Sequence, residues 1–303
     1  MQSIYAMHQN GSDNLEKEEK FLFFSMDSVL DLYLIMLSAL VEIRAKEIDF
    51  LEKSAKKHLA TAEERKPNRR FVDNPILKLL AENEALKAAL KNRKIDNWTR
   101  NDDYILIILD EIKKSALYEN YMASKAGDFE KDRQFAIDLF MELIAPNDKL
   151  YDYLEDHKLT WIDDIPLVNT QIVKQLRAIK SAGDMGFSVP KLYKDAEDQE
   201  FASLLFRKTV LNEPELGKEY IDKTPNWDTE RIAEIDTIIL KMAICEFLKF
   251  PSIPIKVTIN EYLELAKEYS TPKSSIFING ILDNLVKEYQ VANRLNKSGR
   301  GLL

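Results

Sequence analysis

The stretch INEYLELAKEYSTPKSSIFINGILDNLV, residues 259–286, decides the fold. Apolar residues recur every three to four positions on both sides of a break at STPKSS, residues 270–275. That spacing predicts two amphipathic helices. The first carries the stripe Ile259, Leu263, Ala266 and Tyr269, with Thr258 and Glu261 at capping-box spacing. Thr271 or Ser274 is expected to cap the second, Pro272 being acceptable in its first turn if Thr271 is the cap. Ile276, Phe277, Gly280, Ile281 and Leu285 then share one face. Glycine costs a helix about 1 kcal/mol against alanine, so Gly280 needs an account. A close helix crossing or a ligand supplies one, and the crossing is the expectation here. Asn279, beside it, either satisfies a backbone group inside the bundle or faces a ligand.

Working outward, Pro251 and Pro254 break the chain before this pair of helices. Upstream of them, Thr229-Glu230 opens a strongly apolar helix from about Arg231, running through Ile235, Ile238, Ile239, Met242, Ala243, Cys245 and Phe247. So little polar face predicts the central buried helix of this half, with Cys245 as a small buried hydrophobe. Phe201, Leu204, Leu205 and Val210 fit another helix, ended by Asn212-Glu213-Pro214. The stretch SAGDMGFSVPKLYKD, residues 181–195, reads as a boundary.

The opening MQSIYAMHQN reads as a helix with Ile4, Tyr5 and His8 on one side, closed by Asn10-Gly11-Ser12. A second helix is expected from Asp13 or Asn14, with breaks, to about His58. Residues 61–75, with two prolines and four cations, read as a linker. A helix follows from Pro75 to about Lys94, and the helical pattern resumes over 96–120. Phe135, Ala136, Phe140 and Trp161 recur at a constant offset as Phe201, Ala202, Phe206 and Trp227. Structural duplication and shared helical periodicity both account for that echo.

No glycine lies between Gly11 and Gly127, which argues for an almost wholly helical chain. Of 303 residues, 45% are hydrophobic and 31% charged, a globular composition. One cysteine rules out an internal disulfide or a cysteine zinc cluster, and the three histidines lack metal-helix spacing. With no signal-peptide pattern and no uninterrupted apolar run of about 18 residues, a cytoplasmic protein outside the membrane is expected. The net charge of −8 and pI near 5.2 argue against tight, unaided nucleic-acid binding. A local basic patch, or a partner that brings cations, remains compatible with that charge.

The segment from Glu230 to Leu285 resembles the C-terminal subdomain of the NusB family of transcription antitermination factors. Its most specific pieces are Ile259-Asn260-Glu261, Glu264-Leu265-Ala266-Lys267, and Phe277-Ile278-Asn279-Gly280-Ile281-Leu282-Asp283, in family order and spacing. The resemblance reaches back more weakly to Asp198, and MQSIYAMHQNGS is similar to the second half of the family's first helix. It covers about a third of the chain.

The resemblance implies an all-α fold, a NusB-like helical bundle with a large helical insertion or partial duplication. Residues 1–20 are then a remnant of the first helix, 21–190 the insertion, 191–290 the C-terminal subdomain and 291–303 a basic disordered tail. It implies binding of boxA RNA from ribosomal RNA leaders and pairing with the small-subunit ribosomal protein NusE. It also implies a place in the RNA polymerase antitermination complex, with homodimerisation through the partner surface as a further expectation. It implies no catalysis, cofactor or metal.

Carried over by position, Tyr5, Lys241, Lys273 and Phe277 are the implied RNA-binding residues, with Asn279 either RNA-binding or structural and Gly280 at a helix crossing. An aromatic face stacks an unpaired base, and lysines neutralise phosphate. Two departures weaken direct RNA binding. The resembling segment opens past the family's arginine-rich first turn, and Ile276 replaces a residue that is often basic. Arg65, Lys66, Arg69, Arg70, Lys87, Lys91, Arg93, Lys94 and Arg100 are candidate compensating cations, or simply a solvated linker and helix face. A helical scaffold that binds a protein partner but little RNA is therefore the alternative function. An enzyme related to RNA cytosine methyltransferases is disfavoured: no glycine-rich cofactor loop occurs, and Asp163-Asp164 reads as a helix N-terminus.

Overall fold

A computed structural model describes residues 1–183, 186–221 and 232–298. The expected helix start at Thr229–Arg231, the echo member Trp227 and the last five residues of the tail lie outside the described residues. Every regular element among the described residues is helical. The chain divides into two units, Met1–Phe24 with Tyr193–Leu303, and Ser25–Leu192.

The first helix, Gln2–Gln9, buries Ile4 and Met7, whereas Tyr5 is 37% exposed. Its stripe therefore runs through Ile4 and Met7 rather than through Tyr5. It ends as its sequence demands: Gly11 takes φ +58°. Gly11 N–H donates to His8 O and Ser12 N–H to Met7 O, each at 3.0 Å. Only glycine enters that left-handed corner without steric cost. Asn14 Oδ1 then accepts from Lys17 N–H (3.0 Å) and starts the 41-residue helix Leu15–Ala55. By length and composition this is the one described helix apolar enough to cross a bilayer, but 56% of its most apolar window is buried by the chain itself.

In the Ser25–Leu192 unit, the segment 61–75 is not a linker. Thr61 and Glu64 form a capping box around the turn Ala62–Arg65. Phe71 and Val72 lie in the core, and Arg70 NH2 sits 2.5 Å from Asp132 Oδ1, both side chains buried. The helix expected over Pro75–Lys94 is two, Pro75–Glu82 and Glu84–Arg93. Asn83 breaks it by accepting from Leu86 N–H (2.8 Å) and donating to Phe187 O (3.2 Å). Asparagine competes with its own backbone in this way and favours caps over helix interiors. Further on, Phe129–Leu139 runs into a π-helical turn, Phe140–Ile144, before Asp148–His157 and Ile165–Ala178.

Asp163 and Asp164 do stand just ahead of the Ile165–Ala178 helix, yet Asp164 makes no capping bond with its side chain. Burial, and secondarily Asp163, push the Asp164 carboxyl up to about 6. The folded state thus holds this proton more tightly than the unfolded chain does. Stability is lost through this group as pH rises from about 4 to 6 and stays lost above that. Asp164→Asn should therefore stabilise the protein at pH 7, by on the order of 1 kcal/mol after allowance for solvent screening. Urea melts at pH 7 and pH 4 check this: the gain should vanish at the lower pH.

In the other unit, the helix Glu234–Lys249 is central, with Ile238, Ile239, Leu240, Ala243, Ile244 and Phe247 in the core. Cys245 is buried among them. The central helix packs on Ile255–Tyr269 and on the last helix, Ser274–Val291. Thr258 is no cap. The helix begins at Ile255 behind Pro254, and Thr258 Oγ1, fully buried, donates to Glu246 Oε1 (2.6 Å). The described part of the tail is not disordered: Arg294 pairs with Glu219, Lys297 Nζ donates to Glu246 O and Phe250 O, and Ser298 N–H donates to Pro251 O.

The expectation at Gly280 is overturned. The last helix buries Ser274, Ile278, Ile281, Leu282, Leu285 and Tyr289, and a Cβ built on Gly280 meets nothing within 4 Å. Five apolar residues fall within 276–282, so the sequence allows two neighbouring stripes, and packing selects the one that turns Gly280 outward with Ile276. No described helix crosses there. Gly280→Ala should then raise stability by about 0.8–1 kcal/mol through helix propensity. A lower denaturation midpoint for that variant would contradict the outward placement. Asn279 donates to Asp283 Oδ2 (3.3 Å), one turn on, rather than to a backbone group inside the bundle.

The echoed segments do not share burial throughout. Phe140 and Phe206 are both buried, whereas Phe135 is buried and Phe201 is 36% exposed.

Candidate nucleic-acid interface

The first turn of the central helix gathers two other elements. Glu234 accepts from the first helix, with Oε1 at 3.0 Å from His8 Nδ1 and Oε2 at 2.6 Å from Gln9 Nε2. Two residues further, Asp236 Oδ2 accepts from the Oγ of Ser274 (2.7 Å), the first residue of the last helix. Ser274 Oγ in turn lies 2.9 Å from both Ser270 Oγ and Thr271 Oγ1. Ser274 thus ties the helix start to its neighbour rather than capping it, and Lys273 takes the N-cap position with no side-chain bond.

This arrangement brings the first helix and the start of the last helix to one end of the central helix. Tyr5, one turn before His8, is partly exposed there, and Lys273 is exposed. Phe277 is half-buried against the core, so only part of its ring is available to a base. A helix start, an exposed aromatic and a lysine make chemistry suited to an unpaired nucleotide.

Lys241 is placed differently. Its Nζ lies 2.7 Å from Glu213 Oε2, with the two side chains 18% and 16% exposed, and Glu213 Oε1 lies 2.8 Å from His8 Nε2. The amine is thus held inside an ion-paired network rather than presented to solvent. Sequence reasoning missed Glu213, Glu234 and Asp236. Glu213 reads locally as a helix terminator, and nothing near it signals partners 28 and 205 positions away.

The compensating cations are largely engaged as well. Arg70 is buried against Asp132, Arg93 joins Asp27 and Asp31, Arg69 joins Asp73, Lys87 joins Glu84 and Arg100 joins Asp96. Arg70 and Arg93 are held by burial and by paired carboxylates, whereas the exposed pairs of Arg69, Lys87 and Arg100 are weak and leave those charges at the surface.

The NusB family model matches residues 169–287. The transcription antitermination protein NusB of Salinibacter ruber is 45% identical over 113 residues, 37% of this chain and 70% of that protein. The NusB of Natranaerobius thermophilus is 43% identical over 107 residues, 34% of this chain and 73% of that protein. The NusB of Chloroherpeton thalassium is 38% identical over 109 residues, 36% of this chain and 52% of that protein. No solved structure matches the chain. With an all-helical fold and relatives of this similarity, the chain belongs to the NusB family and extends well beyond the segment that the family shares.

Proposed function

We propose that this chain is a cytoplasmic transcription antitermination factor that binds boxA-type leader RNA of ribosomal RNA operons together with the ribosomal protein NusE. The observation that carries the reading is the convergence of the first helix and the start of the last helix on Glu234 and Asp236. On this reading Tyr5 and Phe277 stack bases and Lys273 meets phosphate, within the antitermination complex of RNA polymerase and without catalysis. Residues 1–20 and 191–290 form the family unit, and 21–190 the insertion. Ile276, 75% exposed, and outward-facing Gly280 form a low-relief apolar face fitted to the protein partner or to a second copy.

The pairing of Lys241 with Glu213, and of Arg70 and Arg93 with carboxylates, favours RNA binding that depends on the partner's own cations. Fluorescence anisotropy with a labelled boxA-type RNA, with and without the ribosomal protein, tests this. The partner should tighten RNA binding about tenfold or more. Lys273→Glu should flatten the slope of log affinity against log salt by about 0.7 per lost single-strand phosphate contact. Tyr5→Ala should cost about 1–3 kcal/mol of stacking. RNA binding indifferent to the partner and to both substitutions would refute the reading. Partner binding with no RNA binding in either condition would establish the scaffold alternative.

A further inference from the structure

The Ser25–Leu192 unit carries a basic lobe where the long helix ends at Ala55. Between residues 56 and 69 the exposed cations Lys56, Lys57, Arg65, Lys66 and Arg69 face only two carboxylates, Glu63 and Glu64. The chain as a whole carries a net charge of −8. In other parts of the unit an exposed cation pairs with an acid one turn away, as Arg100 does with Asp96, Lys114 with Asp110 and Lys149 with Asp152. Lys56, Arg65 and Lys66 have no ion-pair partner among the described residues. Lys56 and Lys57 complement the C-terminus of the long helix, but Arg65, Lys66 and Arg69 lie too far along the chain to do so.

The backbone of this lobe is fixed. Ala60 is buried at its middle, and Thr61 and Glu64 cap each other around Ala62–Arg65. Lys57 Nζ reaches Glu64 Oε1 (3.2 Å), which joins the arm before Ala60 to the arm after it. Asn68 Oδ1 accepts from Arg70 N–H (3.0 Å), and Asn68 Nδ2 donates to Met122 O (2.9 Å). Buried Arg70 anchors the far end on Asp132. Three residues beyond Met122, exposed Lys125 adds a sixth cation to this end of the unit. Like charges held together on a fixed frame repel one another, and a bound polyanion relieves that repulsion.

We infer that this lobe is a second RNA contact, which grips the phosphate backbone of the strand running on from the boxA-type element. It deepens the RNA reading above, on which it rests, by giving the insertion a part in it. No exposed aromatic lies within residues 56–69 to stack a base, so the contact is to phosphate and independent of sequence. An anionic bilayer attracts the same charges, but a stable membrane contact also buries an apolar face. Leu59 is the one large apolar side chain exposed in the lobe, which is too little for such a face. The lobe uses none of the residues assigned to the boxA-type element itself.

Fluorescence anisotropy of the full chain with the ribosomal protein tests this, using a boxA-type RNA of about 12 nucleotides and an unstructured one of about 40 that contains it. The longer RNA should bind about tenfold or more tighter at low salt. The triple variant Lys56→Glu, Arg65→Glu and Lys66→Glu should abolish that advantage and leave the short RNA bound as in the wild type. For the longer RNA it should flatten the slope of log affinity against log salt by about 2, at about 0.7 per lost single-strand phosphate contact. The three glutamine substitutions at the same positions are a milder second variant, and both sets alter only exposed side chains outside the capping box. Long-RNA binding that the triple variant abolishes, with no binding of the short RNA, would refute the boxA reading and keep the lobe. No binding of the longer RNA, equal affinity for the two RNAs, or an advantage untouched by both variants would overturn the inference. Sedimentation with phosphatidylserine–phosphatidylcholine vesicles is the second arm. Vesicle binding lost in the triple variant, with the long-RNA advantage intact, would assign the lobe to a membrane and overturn the inference too.

Discussion

Asp132→Ala is expected to lower stability by about 3–5 kcal/mol, the penalty for breaking a buried ion pair from one side. Asp132 and Arg70 have side chains 5% and 8% exposed, with Arg70 NH2 2.5 Å from Asp132 Oδ1. Tyr121 OH donates to the same oxygen (2.8 Å), and Asn74 donates both to Tyr121 OH (2.8 Å) and to Asp132 O (2.9 Å). The Arg70 guanidinium lies 4.4 Å from the centre of the Tyr121 ring, which stacks on Phe135. Burial first, and the Asp132 carboxylate second, push the Tyr121 phenol far above its ordinary range, so it stays a donor at any working pH. Removing the carboxylate leaves one buried cation without its counter-charge and one buried hydroxyl without its acceptor. Asp132→Asn separates the two effects: it keeps an acceptor for Tyr121 but not the charge for Arg70, so it should fall between the wild type and alanine. Urea unfolding followed by circular dichroism measures both. A loss below about 1 kcal/mol for alanine would mean that water reaches Arg70 and that the pair is not buried as described.

That network also shows why residues 61–75 defeat local reading. Two prolines and four cations within fifteen positions look like solvated chain, and charges are seldom buried unless paired. The pairing residue lies 62 positions downstream of Arg70, beyond any periodicity window. The same limit hides the Glu213 bonds to His8 and Lys241, which join three separate helices. What sequence did carry were features whose cause is local. The left-handed turn at Gly11, the start of the long helix behind Asn14 and the two helices on either side of residues 270–273 follow from nearby residues alone. The outward turn of Gly280 falls between these cases. Periodicity established a helix there, but Ile276, Phe277 and Ile278 are consecutive and apolar, so the buried stripe depended on neighbours. Tyr5 and Lys273 became candidates by position in the family resemblance, and both are exposed, whereas nothing near Lys241 in sequence signals its ion pair with Glu213.

Glu246→Ala is expected to lower stability by about 2–4 kcal/mol, because two buried hydroxyls lose their acceptor at about 1–3 kcal/mol each, with partial relaxation. Glu246 is 5% exposed on the central helix. Its Oε1 accepts from Thr258 Oγ1 (2.6 Å) and its Oε2 from Tyr262 OH (3.1 Å), both on the following helix. Thr258 and Tyr262 are themselves buried, so no bulk water replaces the lost bonds. The carboxyl therefore acts as a polar joint between two helices that also share apolar core residues. It also lies beneath the tail: Lys297 Nζ donates to the Glu246 and Phe250 carbonyls, and burial lowers the amine below its ordinary range while Glu246 opposes that shift. Glu246→Gln keeps one acceptor and the side-chain volume but removes the charge that helps hold Lys297. It should leave most of the helix–helix joint intact while loosening the tail. Hydrogen exchange distinguishes the two effects, because the Ser298 amide bonded to Pro251 O should lose protection in Glu246→Gln while the amides of the central helix keep theirs. Equal loss in both places would mean that the charge, not the acceptor geometry, holds the joint together.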